Sequence, residues 1–155
     1  MTRDIRLRDV EVADLPVLYE HQCDPDATRM AAFPSRDWAA FTAHWAAILA
    51  DDTASKQTVV VDGQVAGHIG SFGPVGAREV GYWIGRTFWG QGVATAALAA
   101  FLRQVPERPL FAHVATHNVG SLRVLERCGF TYVGEGRAAA ATGGDAVDEV
   151  ILRLG

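Results

Sequence analysis

The chain has 155 residues, 49% of them hydrophobic and 21% charged, with a formal net charge of −4. That length and balance predict one domain with a single sizeable core; no nucleic-acid partner and no membrane span are expected, since no apolar run nears the roughly 20 residues a bilayer requires. The charged start has no secretory h-region and the two cysteines, Cys23 and Cys128, read as reduced thiols, so a cytoplasmic location is expected.

In chain order, Ile5, Leu7 and Val10 suggest a first strand. Asp14 and Pro16 then open a helix with Leu15, Leu18 and Tyr19 on one stripe. Residues 24 to 35, with Pro25 and Pro34, read as a loop. A second helix from about Asp37 carries Trp38, Phe41, Trp45, Ile48 and Leu49 at helical spacing, which reads first as core packing. Thr58 to Val61 and Val65 to Ile69 flank Asp62-Gly63, the pattern of a hairpin on a type I′ turn. Val80 to Ile84 is a central strand, and Ala94, Ala97, Leu98, Phe101, Leu102 and Val105 mark a helix after it. Leu110 to Ala115 is a further strand, parallel to the central one after a helical crossover. Asn118 to Cys128 is a short helix stopped by Gly129, and Phe130–Val133 and Glu149–Leu154 close the sheet.

The junction between central strand and helix is where a ligand is expected. Gly90-Gln91-Gly92 puts two residues without a Cβ before a helix start, where the first amides lack partners and the dipole is positive. A Walker loop would need a lysine, and the chain's one lysine is Lys56. A dinucleotide fingerprint would need Gly or Ala at Thr95 and a carboxylate near Val114 to Asn118, and both are missing.

Trp89-Gly90-Gln91-Gly92-Val93-Ala94 resembles the Gln/Arg-x-x-Gly-x-Gly/Ala pyrophosphate loop of the GNAT acetyltransferase superfamily, with Trp89 at the Gln/Arg position. The variant resembles the branch of ribosomal-protein N-terminal acetyltransferases. A second stretch, Asn118-Val119-Gly120-Ser121 through Glu126-Arg127-Cys128-Gly129-Phe130, is similar to the family's Asn-x-x-Ser/Ala…Glu-Lys-x-Gly-Phe signature. The resemblance covers nearly the whole chain. It implies an α/β fold ordered β-α-α-β-β-β-α-β-α-β-β, with a mixed, twisted sheet of six to seven strands and four helices. It also implies acetyl transfer from acetyl-coenzyme A to a primary amine, on a protein N-terminus or a small molecule, by a monomer or homodimer. Arginine and alanine in place of lysine fit a GC-rich bacterial genome.

Carried onto this sequence, the resemblance assigns the pyrophosphate to the amides of Gln91, Gly92, Val93, Ala94 and Thr95. It assigns the pantetheine arm to Asn118 and to the central strand at Tyr82 to Gly85, with the amide near Ile84 polarising the thioester carbonyl as an oxyanion donor does. Asn118 also reads as a plain helix cap. Glu79 stands at the position of the base. A lysine-like amine with pKa near 10.4, or an α-amino group near 8, benefits from one at neutral pH. Strand alternation puts Glu79 with Gly81 and Trp83 on one face, and an ion pair with Arg78 or Arg86 is the other reading of this carboxylate. His113 and His117 are alternative bases. The early helices commonly wall the acceptor pocket, so Met30, Phe33, Trp38 and His44, together with Trp83, are expected acceptor contacts.

Many relatives place a tyrosine acid where this chain has Leu125, so Ser121 is the expected donor to the leaving sulfur and Tyr132 a distant second. Cys128 reads as core filler. No metal site is expected. The missing tyrosine keeps open a second possibility, an acyl-coenzyme A binding module with little catalysis, and a phosphate-loop nucleotide binder is the third.

Overall fold

The computed structural model describes residues 3–32, 35–138 and 147–155. Seven strands form one sheet in the order β1-β2-β3-β4-β5-β7-β6. These are β1 (Ile5–Asp9), β2 (Ser55–Val61), β3 (Gln64–Phe72), β4 (Arg78–Ile84), β5 (Leu110–Ala115), β6 (Thr131–Ala138) and β7 (Val147–Leu154). Five helices accompany them: α1 (Leu15–Cys23), α2 (Pro25–Ala31), α3 (Trp38–Ala50), α4 (Val93–Gln104) and α5 (Val119–Arg127). Short 3-10 turns precede α1 and α4, at Val12–Asp14 and Arg86–Phe88.

The expected mixed α/β fold is present, with one helix more than the four expected. The difference lies in residues 24 to 35, read as a loop because of their prolines. Pro25 instead opens α2, where its missing N–H costs nothing and its fixed φ suits the first turn. Asp24 caps it, its Oδ1 accepting from the Asp26 amide at 2.9 Å, and Ala32 ends it at a φ of 55°.

The β2–β3 hairpin turns on Asp62 and Gly63, both at positive φ (49° and 82°), as a type I′ turn requires. One sheet face carries α4 and α5. Val80, Ile84, Val93, Leu98, Phe101, Leu110, Leu125 and Leu152 form its core, all under 10% exposed. The opposite face carries α1 and α3 over a smaller cluster of Leu15, Leu18, Phe41 and Trp45. Asp14 ties that layer to the sheet. Its carboxylate accepts from both terminal nitrogens of Arg8 on β1 (2.8 and 2.7 Å), the Glu11 amide (2.9 Å) and Thr58 Oγ1 on β2 (2.8 Å).

The parallel pair β4–β5 positions the site. The two strands are in register only at Arg78–Leu110 and Glu79–Phe111, and beyond these they part. Every other neighbouring pair is antiparallel. Among the described residues, no helix is long and apolar enough to cross a membrane.

Candidate active site

Where β4 leaves β5, one edge of β4 is unpaired. Gly85 donates its amide to the Ala66 carbonyl of β3 (2.8 Å), so by strand alternation the peptide groups of Tyr82 and Ile84 point the other way, into the gap. Trp89 confirms that direction: its indole Nε1 donates to the Ile84 carbonyl at 2.8 Å, which leaves the Ile84 amide facing the gap. Trp89, which occupies the loop's Gln/Arg position, thus clamps the turn to the strand end. Gly85 is fixed by its surroundings on the other face, since a Cβ there would lie 2.7 Å from the His21 ring.

The gap opens into a cleft of about 570 Å³. Its walls include Tyr82, Trp83 and Ile84 from β4, Gly92 to Thr95 from the α4 start, Asn118 and Ser121 from α5, and Met30 from α2. Gly92 is the N-cap of α4 at a φ of 75°, a left-handed conformation that glycine adopts without strain. Among the described residues, chain neighbours aside, nothing lies within 4 Å of where a Cβ would sit on Gly90 or Gly92, so the turn is open toward the cleft. The first intrahelical bond runs from the Ala96 amide to the Gly92 carbonyl, and the amides of Val93, Ala94 and Thr95 are left without helical partners. Gln91 turns away, its side-chain amide bonding the Thr87 carbonyl at 2.9 Å.

On the α5 side, Asn118 caps the helix, its Oδ1 accepting from the Ser121 amide at 3.3 Å. Ser121 Oγ lies 2.6 Å from the Tyr82 hydroxyl. Burial pushes the Tyr82 phenol up to about 12, against a smaller opposing effect of the Ser121 bond. Cys128 lies beneath, its Sγ 3.7 Å from the Thr95 carbonyl, and burial raises its thiol. A half-buried thiol with a raised pKa, held against a helix carbonyl, is packing material rather than a nucleophile.

On the other face, β4 presents Glu79, Gly81 and Trp83 in a row, and its register with β3 shows no bulge. Glu79 Oε1 lies 3.2 Å from His113 Nε2, and His113 Nδ1 lies 2.9 Å from Glu149 Oε1. The expected alternative partners of Glu79 are engaged elsewhere: Arg78 pairs with Glu107, and Arg86 with Asp24 and Asp26. At Gly81 a Cβ would meet, among the described residues, only a Phe72 ring atom, at 3.7 Å, so the strip between Glu79 and Trp83 is bare backbone. His68, under α3, is half-buried with its ring edge-on to Trp45, and desolvation, aided by His21 and His44, lowers it to about 4.

Of the expected acceptor contacts, Trp83 and Met30 line the cleft. Trp38 does not. It packs on Tyr19 and Phe41, at ring distances of 5.1 and 6.2 Å, and stays 45% exposed, while Phe41 and Trp45 of the same stripe are the buried core members. Phe33 lies outside the described residues. His44 sits near His68 in the layer below. His117 is tied by Nε2 to the Arg29 carbonyl of α2 at 3.0 Å and forms part of the cleft wall. Among the described residues no group of His, Cys, Asp and Glu is arranged to hold a metal. Tyr82 and Trp89, like Arg123 and Arg127 in the same cleft wall, are site residues that sequence reasoning gave no side-chain role. Tyr82 was detectable only as a hydroxyl on the helix-facing side of a strand.

The model of the acetyltransferase (GNAT) domain matches residues 4–131. The chain belongs to the GNAT acetyltransferase family. No curated protein matches it. Among solved structures, a GNAT-family acetyltransferase from Bacillus anthracis is 18% identical, with 97% of this chain and 93% of that one covered and a TM-score of 0.80. A spermidine N-acetyltransferase from Vibrio cholerae, in complex with CoA and spermine, is 17% identical with 97% and 94% covered and a TM-score of 0.83. Mycobacterium smegmatis RimJ, in complex with CoA-disulfide, is 21% identical with 97% and 81% covered and a TM-score of 0.80. These identities support a shared GNAT fold and leave the ribosomal-protein branch as one neighbour among several.

Proposed function

We propose that the chain, as one domain over residues 1–155, is an acetyl-coenzyme A-dependent N-acetyltransferase acting on a primary amine by direct attack in a ternary complex. One observation carries this reading. The parting of β4 from β5 beyond Glu79 and Phe111 leaves an unpaired strand edge over a cleft that ends on the bare first amides of α4.

The residues present fit coenzyme A. The open turn at Gly90 and Gly92 and the free amides of Val93 to Thr95 suit a pyrophosphate. The outward peptide group of Tyr82 suits the amides of a pantetheine arm, as an added strand would use it. Asn118, with its Oδ1 engaged by the Ser121 amide, retains its Nδ2 donors for the same arm. Gly85 follows this stretch and has committed its amide to Ala66.

When bound, acetyl-coenzyme A supplies the activated acyl group. The Ile84 amide donates to the carbonyl as negative charge develops on it. Glu79, directly or through water along the bare Gly81 strip, accepts the proton that the amine loses. Ser121 would hydrogen-bond the sulfur, which would leave with the electron pair of the C–S bond once the amine's lone pair had made the new C–N bond. The sulfur needs little help, since a cysteine-like thiol has a pKa near 8.5.

The acceptor is a small-molecule amine or a protein N-terminus. The fold-level likeness to a protein solved with CoA and spermine supports an amine. Calorimetric titration with acetyl-coenzyme A, NAD and ATP, followed by thiol-release assays across an amine panel, tests the reading. Binding of acetyl-coenzyme A alone and release of thiol only with a primary amine are expected. Binding without release for every amine class would make the chain an acyl-coenzyme A binding module, and absence of binding would overturn the cofactor assignment.

A further inference from the structure

Leu125, at the position where many relatives carry a tyrosine, is 1% exposed in the core, and no phenol reaches the cleft from there. A different phenol does. Tyr82 comes from β4, packs against the core under α5, and stops with its hydroxyl 2.6 Å from Ser121 Oγ and 3.5 Å from the Ser121 carbonyl. Both residues line the cleft, and among the described residues Ser121 Oγ has no other hydrogen-bond partner.

We infer that Tyr82 is a positioning residue: its hydroxyl donates to Ser121 Oγ and so turns the serine's own proton into the cleft, toward the departing sulfur. This rests on the acetyl-transfer reading above.

The direction of the bond follows from acidity. A phenol is a far stronger acid than an alkyl alcohol, so in so short a pair the phenol donates. A hydroxyl that accepts a bond is polarised into a better donor. The same acidity scale excludes Tyr82 as the source of a transferred proton. Burial holds its phenol at about 12, whereas a cysteine-like thiol titrates near 8.5. Passing the proton through Ser121 to the thiolate is therefore uphill by on the order of a thousandfold. The hydrogen bond forms, the transfer does not, and the sulfur leaves as a hydrogen-bonded thiolate that takes its proton later from water.

The test compares Tyr82→Phe, Ser121→Ala and the double variant, each confirmed as folded by circular dichroism. In kcat/KM the expected losses are about three- to tenfold for Tyr82→Phe and about tenfold for Ser121→Ala, with the double variant no worse than Ser121→Ala. The second readout needs no turnover. The thiol of bound coenzyme A, followed by thiolate absorbance, should ionise at a higher pH in Ser121→Ala. It should rise by less in Tyr82→Phe and match Ser121→Ala in the double variant. Losses that multiply in the double variant, or a bound thiol ionising at the parental pH in Tyr82→Phe, would overturn the inference. A substitution that preserves shape gives an independent arm. Of the three tyrosines only Tyr82 lines the cleft, so replacing all with fluorotyrosine, a more acidic phenol, should lower the ionisation pH of the bound thiol. An unchanged value would also overturn it. Failure of the parent to bind coenzyme A at all would instead strike the acetyl-transfer reading.

Discussion

Replacing Asp14 by Asn should destabilise the protein by about 2–4 kcal/mol at neutral pH, in a way that depends on pH. Asp14 is 3% exposed, and its carboxylate is held at about 2 instead of 3.8, chiefly by the Arg8 hydrogen bonds and further by the Glu11 amide and Thr58. At about 1.4 kcal/mol per pKa unit the shift corresponds to roughly 2 kcal/mol, an upper figure because the Arg8 side chain is 38% exposed and screened by solvent. Asn adds a second cost. Its NH₂ faces donors on every side, and Thr58, fully buried, loses its acceptor or keeps it at the expense of Arg8, which costs about 1–3 kcal/mol. The sign with pH follows from a folded pKa below the unfolded one. The stabilisation is complete above about pH 5, diminishes as pH falls through 3.8 and is lost as pH falls through 2. Urea unfolding followed by circular dichroism at pH 7, 5, 4 and 3 should show a constant gap between parent and variant down to about pH 5 and a narrowing gap below it. Thermal unfolding at pH 7 should fall by roughly 4–16 °C. A gap below about 0.5 kcal/mol at pH 7, or one of the same size at pH 3, would refute the reasoning, because it would mean that the carboxylate's charge contributes nothing to the fold.

Gly92→Val should weaken acetyl-coenzyme A binding at least tenfold by calorimetry, because it strains a left-handed N-cap and fills the open turn; parental affinity in a folded variant would put the pyrophosphate elsewhere. Glu79→Gln should lower kcat/KM by about 10²–10⁴ with cofactor affinity nearly unchanged, and equal rates at every pH would leave Glu79 as a partner of His113 only. Gly81→Leu should fold, since only Phe72 stands near the new Cβ, yet it should raise the KM of the amine several-fold while sparing that of acetyl-coenzyme A; an unchanged amine KM would show that the acceptor does not pass along this strip.

The sequence by itself determined the parts of this protein whose signals are local. The Asp62-Gly63 turn, the strand–glycine–helix junction at Glu79 to Leu98 and the cap at Asn118 each depend on φ preferences, on a period of two or 3.6, or on an oxygen beside free amides, all contained within a few residues. The helix at Pro25 was local as well. Asp24 and Pro25 have the side-chain acceptor and fixed φ of a helix start, but two prolines in twelve residues equally suit a loop. Only the tertiary structure decided which side chains meet. Tyr82 and Ser121 are 39 residues apart, and His113 stands between Glu79 and Glu149 because β5 lies beside both β4 and β7. The stripe of Trp38 looked the same from the sequence whether it packed on Tyr19 and Phe41 or lined the cleft, since periodicity gives a residue's face and not what the fold sets against it. The cleft itself comes from two parallel strands that keep register for two residue pairs and then part, a consequence of how helices pack on a twisted sheet rather than of any residue in either strand.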